Sequence, residues 1–147
     1  MTTRTDIALA ARGYKGTPFH HRGRKPGAAL DCVGVLICAA RSVGIFPPDF
    51  DVPEYGQNPD GTMIELCDRY MGPRVTQETM QIGDAIALKS DIEKYARHLG
   101  IIADYRHYGF SIIHASNDRL HMRVIEHRIM FSRHFRFAGA WSFPGIA

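Results

Sequence analysis

The sequence has few cysteines and no close pair of them. Cys32, Cys38 and Cys67 are an odd number with no Cys-x-x-Cys spacing, which argues against a zinc ribbon, a redox motif or a disulfide framework. No apolar run approaches the length that spans a membrane. Nothing behind Met1-Thr2-Thr3-Arg4-Thr5-Asp6 has the apolar stretch of a signal peptide. The expectation is a chain that is cytoplasmic at synthesis, with anything beyond that depending on a carrier other than a signal. Net charge is small as well: at +3 it is too little to argue for nucleic acid but suited to a surface approaching an acidic polymer such as the cell wall. Internal repeats and low-complexity tracts are missing.

What is present is an ordinary globular composition, 45% hydrophobic and 22% charged. A length of 147 residues suits one domain over 1–147 with a proper core. The stretch Ala29-Leu30-Asp31-Cys32-Val33-Gly34-Val35-Leu36-Ile37-Cys38-Ala39-Ala40 stands out. Asp is a preferred N-cap, so the spacing predicts a buried helix from Cys32 to about Ser42, with Asp31 at its cap and Gly44 as its stop. A helix N-terminus favours thiolate over thiol. Cys32 therefore reads either as a nucleophile or as a small core cysteine. Cys38, mid-run, and Cys67, on the apolar side of a second helix, read as core.

Upstream, residues 3–12 predict a helix ended by Gly13. The basic loop Gly16-Thr17-Pro18-Phe19-His20-His21-Arg22-Gly23-Arg24-Lys25-Pro26-Gly27 follows and is either a solvated loop or a wall beside Cys32. Residues 46–60 hold four prolines; long irregular connections of this kind are often functional. A helix over Thr62–Tyr70, a connector over Val75–Gln81 and a strand over Ala85–Leu88 come next. Further strands are expected over Ala96–Ala103, Phe110–Ala115, Arg119–Ile129 and Arg136–Phe143, with polar hairpin turns between. Helices followed by a meandering antiparallel sheet make an α+β fold.

A cysteine nucleophile needs an imidazole base and a third group to orient it. Of the eight histidines, His20 and His21 lie in the basic loop. His107, His121, His127 and His134 sit among charged residues and are expected to be exposed. His98 opens one apolar strand and His114 closes the next, so antiparallel pairing in a permitting register makes them close neighbours on one face. Each alone also reads as an ordinary strand histidine. Zinc is a rival use of Cys32, His98 and His114, but no pair among them has the short spacing of a structural zinc site.

These features, in this order, resemble the NlpC/P60 cysteine peptidases, a papain-like family acting on cell-wall peptides. Gly16-Thr17-Pro18-Phe19 resembles the family's Gly-Thr-Pro-Tyr segment, and Leu30-Asp31-Cys32-Val33-Gly34-Val35 its Asp-Cys-Ser-Gly-Leu nucleophile segment. Gln81-Ile82-Gly83-Asp84-Ala85 resembles its Pro-Gly-Asp turn, His98-Leu99-Gly100-Ile101-Ile102 its His-Val-Gly-Ile-Tyr strand, and Ile113-His114-Ala115 its Ile-His-Ala segment. Phe19-His20-His21-Arg22-Gly23-Arg24 and Trp141-Ser142-Phe143-Pro144-Gly145 look like the branch encoded in phage tail and gene-transfer-agent clusters.

The resemblance implies a papain-like NlpC/P60 fold, with the nucleophile helix packed on a C-terminal antiparallel sheet. It makes Cys32 the nucleophile, His98 the base and His114 the orienting residue. It implies hydrolysis of a peptidoglycan stem peptide, at the γ-D-glutamyl–diamino acid bond, with no cofactor and no metal. Phe19, His20, His21 and Asp31 become candidates for substrate binding or oxyanion stabilisation. Expected partners are peptidoglycan and phage-like tail proteins, and the expected destination is a phage-like particle or the cell wall. Two departures bear on activity: Phe19 stands where the family has a tyrosine hydroxyl near the nucleophile, and Val33 where it has serine. A non-catalytic tail component, or a papain-like amidase or acyltransferase on another substrate, are the competing readings.

Overall fold

The computed structural model describes residues 2–106 and 108–146. Helix α1 (Arg4–Arg12) begins at a capping box in which Thr3 and Asp6 satisfy each other's backbone N–H groups, and it buries Ile7, Ala8 and Ala11. A two-stranded hairpin follows, β1 (Arg24–Lys25) with β2 (Ala29–Leu30), its first strand inside the Gly16–Gly27 stretch that reads in sequence as an unbroken basic loop. Helix α2 (Cys32–Ser42) has Asp31 as its N-cap, whose carboxylate accepts the Gly34 N–H, and every residue from Val33 to Ala40 is buried. Helix α3 (Thr62–Tyr70) buries Cys67.

The remaining elements form one antiparallel sheet. They are β3 (Arg74–Val75), β4 (Ala85–Lys89), β5 (His98–Asp104), β6 (Phe110–Ala115), β7 (Val124–Arg128) and β8 (Arg136–Trp141), in spatial order β3-β8-β4-β5-β6-β7. The α+β class and the packing of α2 on the sheet agree with the sequence reading. The simple meander does not. It holds from β4 to β7, but β8 returns to pair with β4 on its other side and carries β3 at the edge. The segment read as a connector from Val75 thus begins as an edge strand.

The strand expected over Arg119–Ile129 is shortened to β7. Asp118 accepts the Leu120 N–H and Ser116 accepts the Asp118 N–H, so polar side chains hold 116–120 in a turn. Met122 and Arg123 are instead engaged by the segment before α2: Phe19 N–H donates to the Met122 carbonyl at 2.9 Å, and Pro18 bridges Arg123.

Both faces of the sheet are covered, which is why its central strands read as apolar runs rather than alternations. Leu99, Ile101, Ala103, Ile113 and Ala115 pack with the helices, whereas Ile86, Leu88, Ile102, Ile112 and Ala140 pack on the far face with Phe135 and Phe137. His98 lies opposite Leu88 in the β4–β5 register. By alternation it shares a face with Ile102, and His114 shares one with Ile112.

The hairpin sits directly on α2. A Cβ at Gly34 would lie 2.2 Å from the Gly23 carbonyl oxygen, so only glycine admits this approach. Gly34→Ala is expected to lower stability by about 1–3 kcal/mol through overpacking, read as a lower urea midpoint with an unchanged slope.

Candidate active site

The nucleophile candidate stands where the end of the basic loop meets the start of α2. Asp31 is buried, and both its carboxylate oxygens are engaged. Oδ1 accepts from Gly34 N at 2.8 Å and Arg24 Nη1 at 3.0 Å; Oδ2 accepts from Arg22 N at 2.8 Å and from the Tyr55 hydroxyl. Arg22 holds φ at 61°, a costly conformation for a non-glycine residue, and its N–H bond to Asp31 offsets that strain. Arg24 also donates to Tyr55 Oη at 2.8 Å. Asp31 thus gathers the basic loop, the proline-rich connection and the helix N-terminus around Cys32.

A cavity of about 690 Å³ opens beside this junction, a size that suits a small-molecule or peptide site. Cys32, Asp31 and His98 line it, as do Phe19, His20 and His21. The proline-rich connection supplies another wall through Tyr55 and residues 56–60. Phe19 is placed by two neighbours: its N–H bonds Met122, and it bridges Leu30 just before the helix. His21 meets Tyr55 edge to face, with ring centroids 5.6 Å apart.

His114 does not line the cavity. It is buried behind His98, with ring centroids 5.6 Å apart and planes at 86°, so the two are cross-strand neighbours, as antiparallel pairing requires. Gly100 makes room for this. A Cβ there would lie 2.9 Å from His114 Cβ and 2.6 Å from the Ile113 carbonyl oxygen. Among the described residues, no hydrogen bond joins Cys32 to His98 or His98 to His114.

The electrostatics differ from the simple picture of a helix-activated thiolate. Burial, reinforced by the Asp31 charge, pushes the Cys32 thiol up to about 12, against smaller opposing contributions from backbone N–H groups at the helix start and from Arg24. The helix N-terminus acts in the expected direction, but desolvation wins. The resting thiol is therefore protonated. Burial also lowers His98, with Glu93 opposing, and pushes His114 down to about 3, with His98 and His127 adding repulsion. Cys67 is also raised to about 12, by burial first and then by Cys32; Cys38 is buried and its thiol donates to the Arg24 carbonyl.

Two groups escape the sequence reading. Tyr55 lies in the connection marked by its prolines, but nothing local singles it out. His127 was expected to be exposed among charged residues. It is half-buried on β7, with Nε2 3.0 Å from His114 Nε2. Its place beside Ile125 in a partly alternating strand was the available signal. His121 and His134 are exposed as expected; His107 lies outside the described residues. No group of three or more histidine, cysteine or acidic side chains is arranged to hold a metal among the described residues, and no helix there is long and apolar enough to cross a membrane.

No protein-family model and no curated protein matches the sequence. Among solved structures, the chain is similar to the NlpC/P60 domain of the peptidoglycan hydrolase SagA, with 18% identity over 97% of this chain and 100% of that one, at a TM-score of 0.65. It is similar to an NlpC/P60 family protein from Bacillus cereus, with 20% identity over 96% of this chain and 40% of that one, at 0.65. An NLP/P60 family protein similar to lipoprotein, from Staphylococcus aureus, shares 19% identity over 95% of this chain and 41% of that one, at 0.60. The chain thus spans about two fifths of the latter two proteins. Its fold is that of NlpC/P60 domains.

The His114 shift has a consequence for stability. The unfolded chain takes up a proton near the ordinary value of 6.5, whereas the folded protein resists it until about pH 3. The unfolded state binds more protons in that window, so stability falls as pH falls from about 6.5 toward 3. In His114→Asn the urea midpoint is expected to fall less steeply over this range, the difference approaching one proton's worth of slope.

Proposed function

We propose that the protein is a cysteine peptidase acting on peptidoglycan stem peptides, with Cys32 as nucleophile, His98 as general base and His114 as the residue that orients His98. The observation that carries this reading is the shared cavity: a cysteine at a helix N-terminus and a histidine at a strand start line the same 690 Å³ space. The similarity to the peptidoglycan hydrolase SagA in fold supports the substrate class.

The chemistry follows from the protonation states. Because the resting thiol and imidazole are both neutral, the Cys32 proton passes to His98 as sulfur attacks the amide carbonyl carbon. His98 then gives that proton to the departing amine, leaving a thioester on Cys32. Water, deprotonated by His98, cleaves the thioester and restores the thiol. Catalytic hydrogen bonds are often long before substrate binds, which accords with the unbonded Cys32–His98 pair. The oxyanion is met by the Cys32 backbone N–H together with His20 or His21, since Phe19 has no hydroxyl to offer.

The γ-D-glutamyl–diamino acid bond as target, and an origin in a phage tail or gene-transfer-agent cluster, rest on the motif resemblance alone. Within that origin, peptidoglycan and tail proteins are the partners, and a particle or the cell wall is the destination. A second reading, a tail component that keeps the fold without the activity, is favoured by Phe19 and by the protonated Cys32 thiol.

Cys32→Ala is expected to abolish release of muropeptides from purified sacculi; undiminished release would sink the peptidase reading. Phe19→Tyr should raise turnover by about tenfold or more, because one oxyanion donor is worth about 10²–10³ in rate. A wild-type protein that releases nothing, and whose Phe19→Tyr variant is equally inert, would select the structural reading.

A further inference from the structure

His98, His114 and His127 stand on three neighbouring strands, β5, β6 and β7. Ile112 pairs with His127 and His114 with Ile125, so His127 is diagonal to His114 on the same face. The Phe135 ring lies 5.5 Å from His98, 6.5 Å from His114 and 5.6 Å from His127, centroid to centroid, and covers all three. His114 is the middle member, with its ring centroid 5.6 Å from His98 and 5.1 Å from His127.

The hydrogen bonds assign the protons. His127 Nδ1 lies 3.0 Å from the Arg128 carbonyl oxygen. A carbonyl only accepts, so Nδ1 carries the hydrogen, and in a neutral ring Nε2 is then bare. That bare Nε2 lies 3.0 Å from His114 Nε2, so His114 Nε2–H is the donor. Burial keeps His114 neutral, and a neutral ring with hydrogen on Nε2 has a bare Nδ1. This Nδ1 is buried with no hydrogen-bond partner. Such an atom calls for an explanation, and His98, on β5 across β6 from β7, is the neighbouring polar ring, 5.6 Å away centroid to centroid.

We propose that His127 is a positioning residue: with the Arg128 carbonyl behind it, it holds His114 in the Nε2–H tautomer, so that Nδ1 is kept as an acceptor for His98. An N–H of His98 directed to that acceptor leaves the other His98 nitrogen bare, which is the form a general base needs. The inference rests on the reading of Cys32 and His98 as nucleophile and base. The chain of contacts is Arg128 carbonyl, His127, His114, His98, with each ring setting the tautomer of the next. Removing the His127 acceptor would free His114 to place its hydrogen on Nδ1, where it meets His98 as a donor and reverses the order.

The deciding measurement is long-range proton–nitrogen NMR of isotope-labelled protein above neutral pH, with His114 and His127 assigned from single-site variants. The expected result is Nε2–H for His114 and Nδ1–H for His127. In His127→Phe, which keeps ring volume but offers no acceptor, His114 should redistribute between tautomers, and alkylation of Cys32 by iodoacetamide should slow about 10–100-fold, by analogy with the loss of a partner behind a metal-bound histidine. His127→Gln, whose amide oxygen can accept, should retain the wild-type tautomer and most of the rate. Nδ1–H on His114 in the wild type, a doubly protonated His127, or a His127→Phe protein with unchanged tautomer and alkylation would overturn the proposal. The NMR readout needs no substrate, so it decides the proposal even for a protein that leaves peptidoglycan intact. Retained muropeptide release in Cys32→Ala would instead remove the peptidase reading.

Discussion

The buried carboxylate of Asp31 is the junction on which the site is built. Four donors converge on it, from the αL turn at Arg22, from Arg24, from Tyr55 and from the first turn of α2 at Gly34. A carboxylate taken out of water is costly unless its lone pairs are met, and here each oxygen has two partners. The same contacts bring three stretches of chain to one rim: the basic loop, the proline-rich connection and the start of α2. Substrate recognition by Asp31 would therefore have to compete with donors already in place, so its evident work is to position Arg24 and Tyr55 around the cavity.

That arrangement acts directly on Cys32. A negative charge beside the thiol and a well-packed helix start both raise its pKa, and together they outweigh the helix N-terminus. Cys32 holds its proton at rest, and burial pushes both His98 and His114 toward the uncharged form. In the proposed reaction the Cys32 proton would move during attack, with no ion pair stored beforehand. This places weight on the tautomers of the histidines, because a neutral imidazole with its hydrogen on the wrong nitrogen is not a base toward the thiol.

The sheet allows this chain of rings because it is covered on both faces. Helices bury one side, and Phe135 and Phe137 with the far-side aliphatics bury the other. His114 can therefore be desolvated on a strand rather than solvated at an edge. Gly100 makes the close approach of β5 to the Ile113 and His114 backbone possible. The histidine row lies on the far face and Cys32 on the helix side, and both reach the cavity where β5 begins and α2 starts, through His98 and Cys32.

Much of the framework was legible in the residues themselves. The Asp31 cap, the span from Cys32 to Ser42, the Thr62–Tyr70 helix and the Phe110–Ala115 strand are written in local hydrogen bonding and periodicity, which act within a few residues. The nearness of His98 and His114 followed from one hairpin and the two-residue period of a strand. Tertiary structure alone decided the rest. The return of β8 to β4 and the pairing of Met122–Arg123 with Pro18–Phe19 depend on which distant segments find each other. The role of Tyr55 depends on a bond to a residue in another loop, and that of His127 on the register of β7 against β6. The protonation of Cys32 depends on how much water the whole fold removes from it, and desolvation is a property of everything packed around an atom, which no short stretch of sequence records.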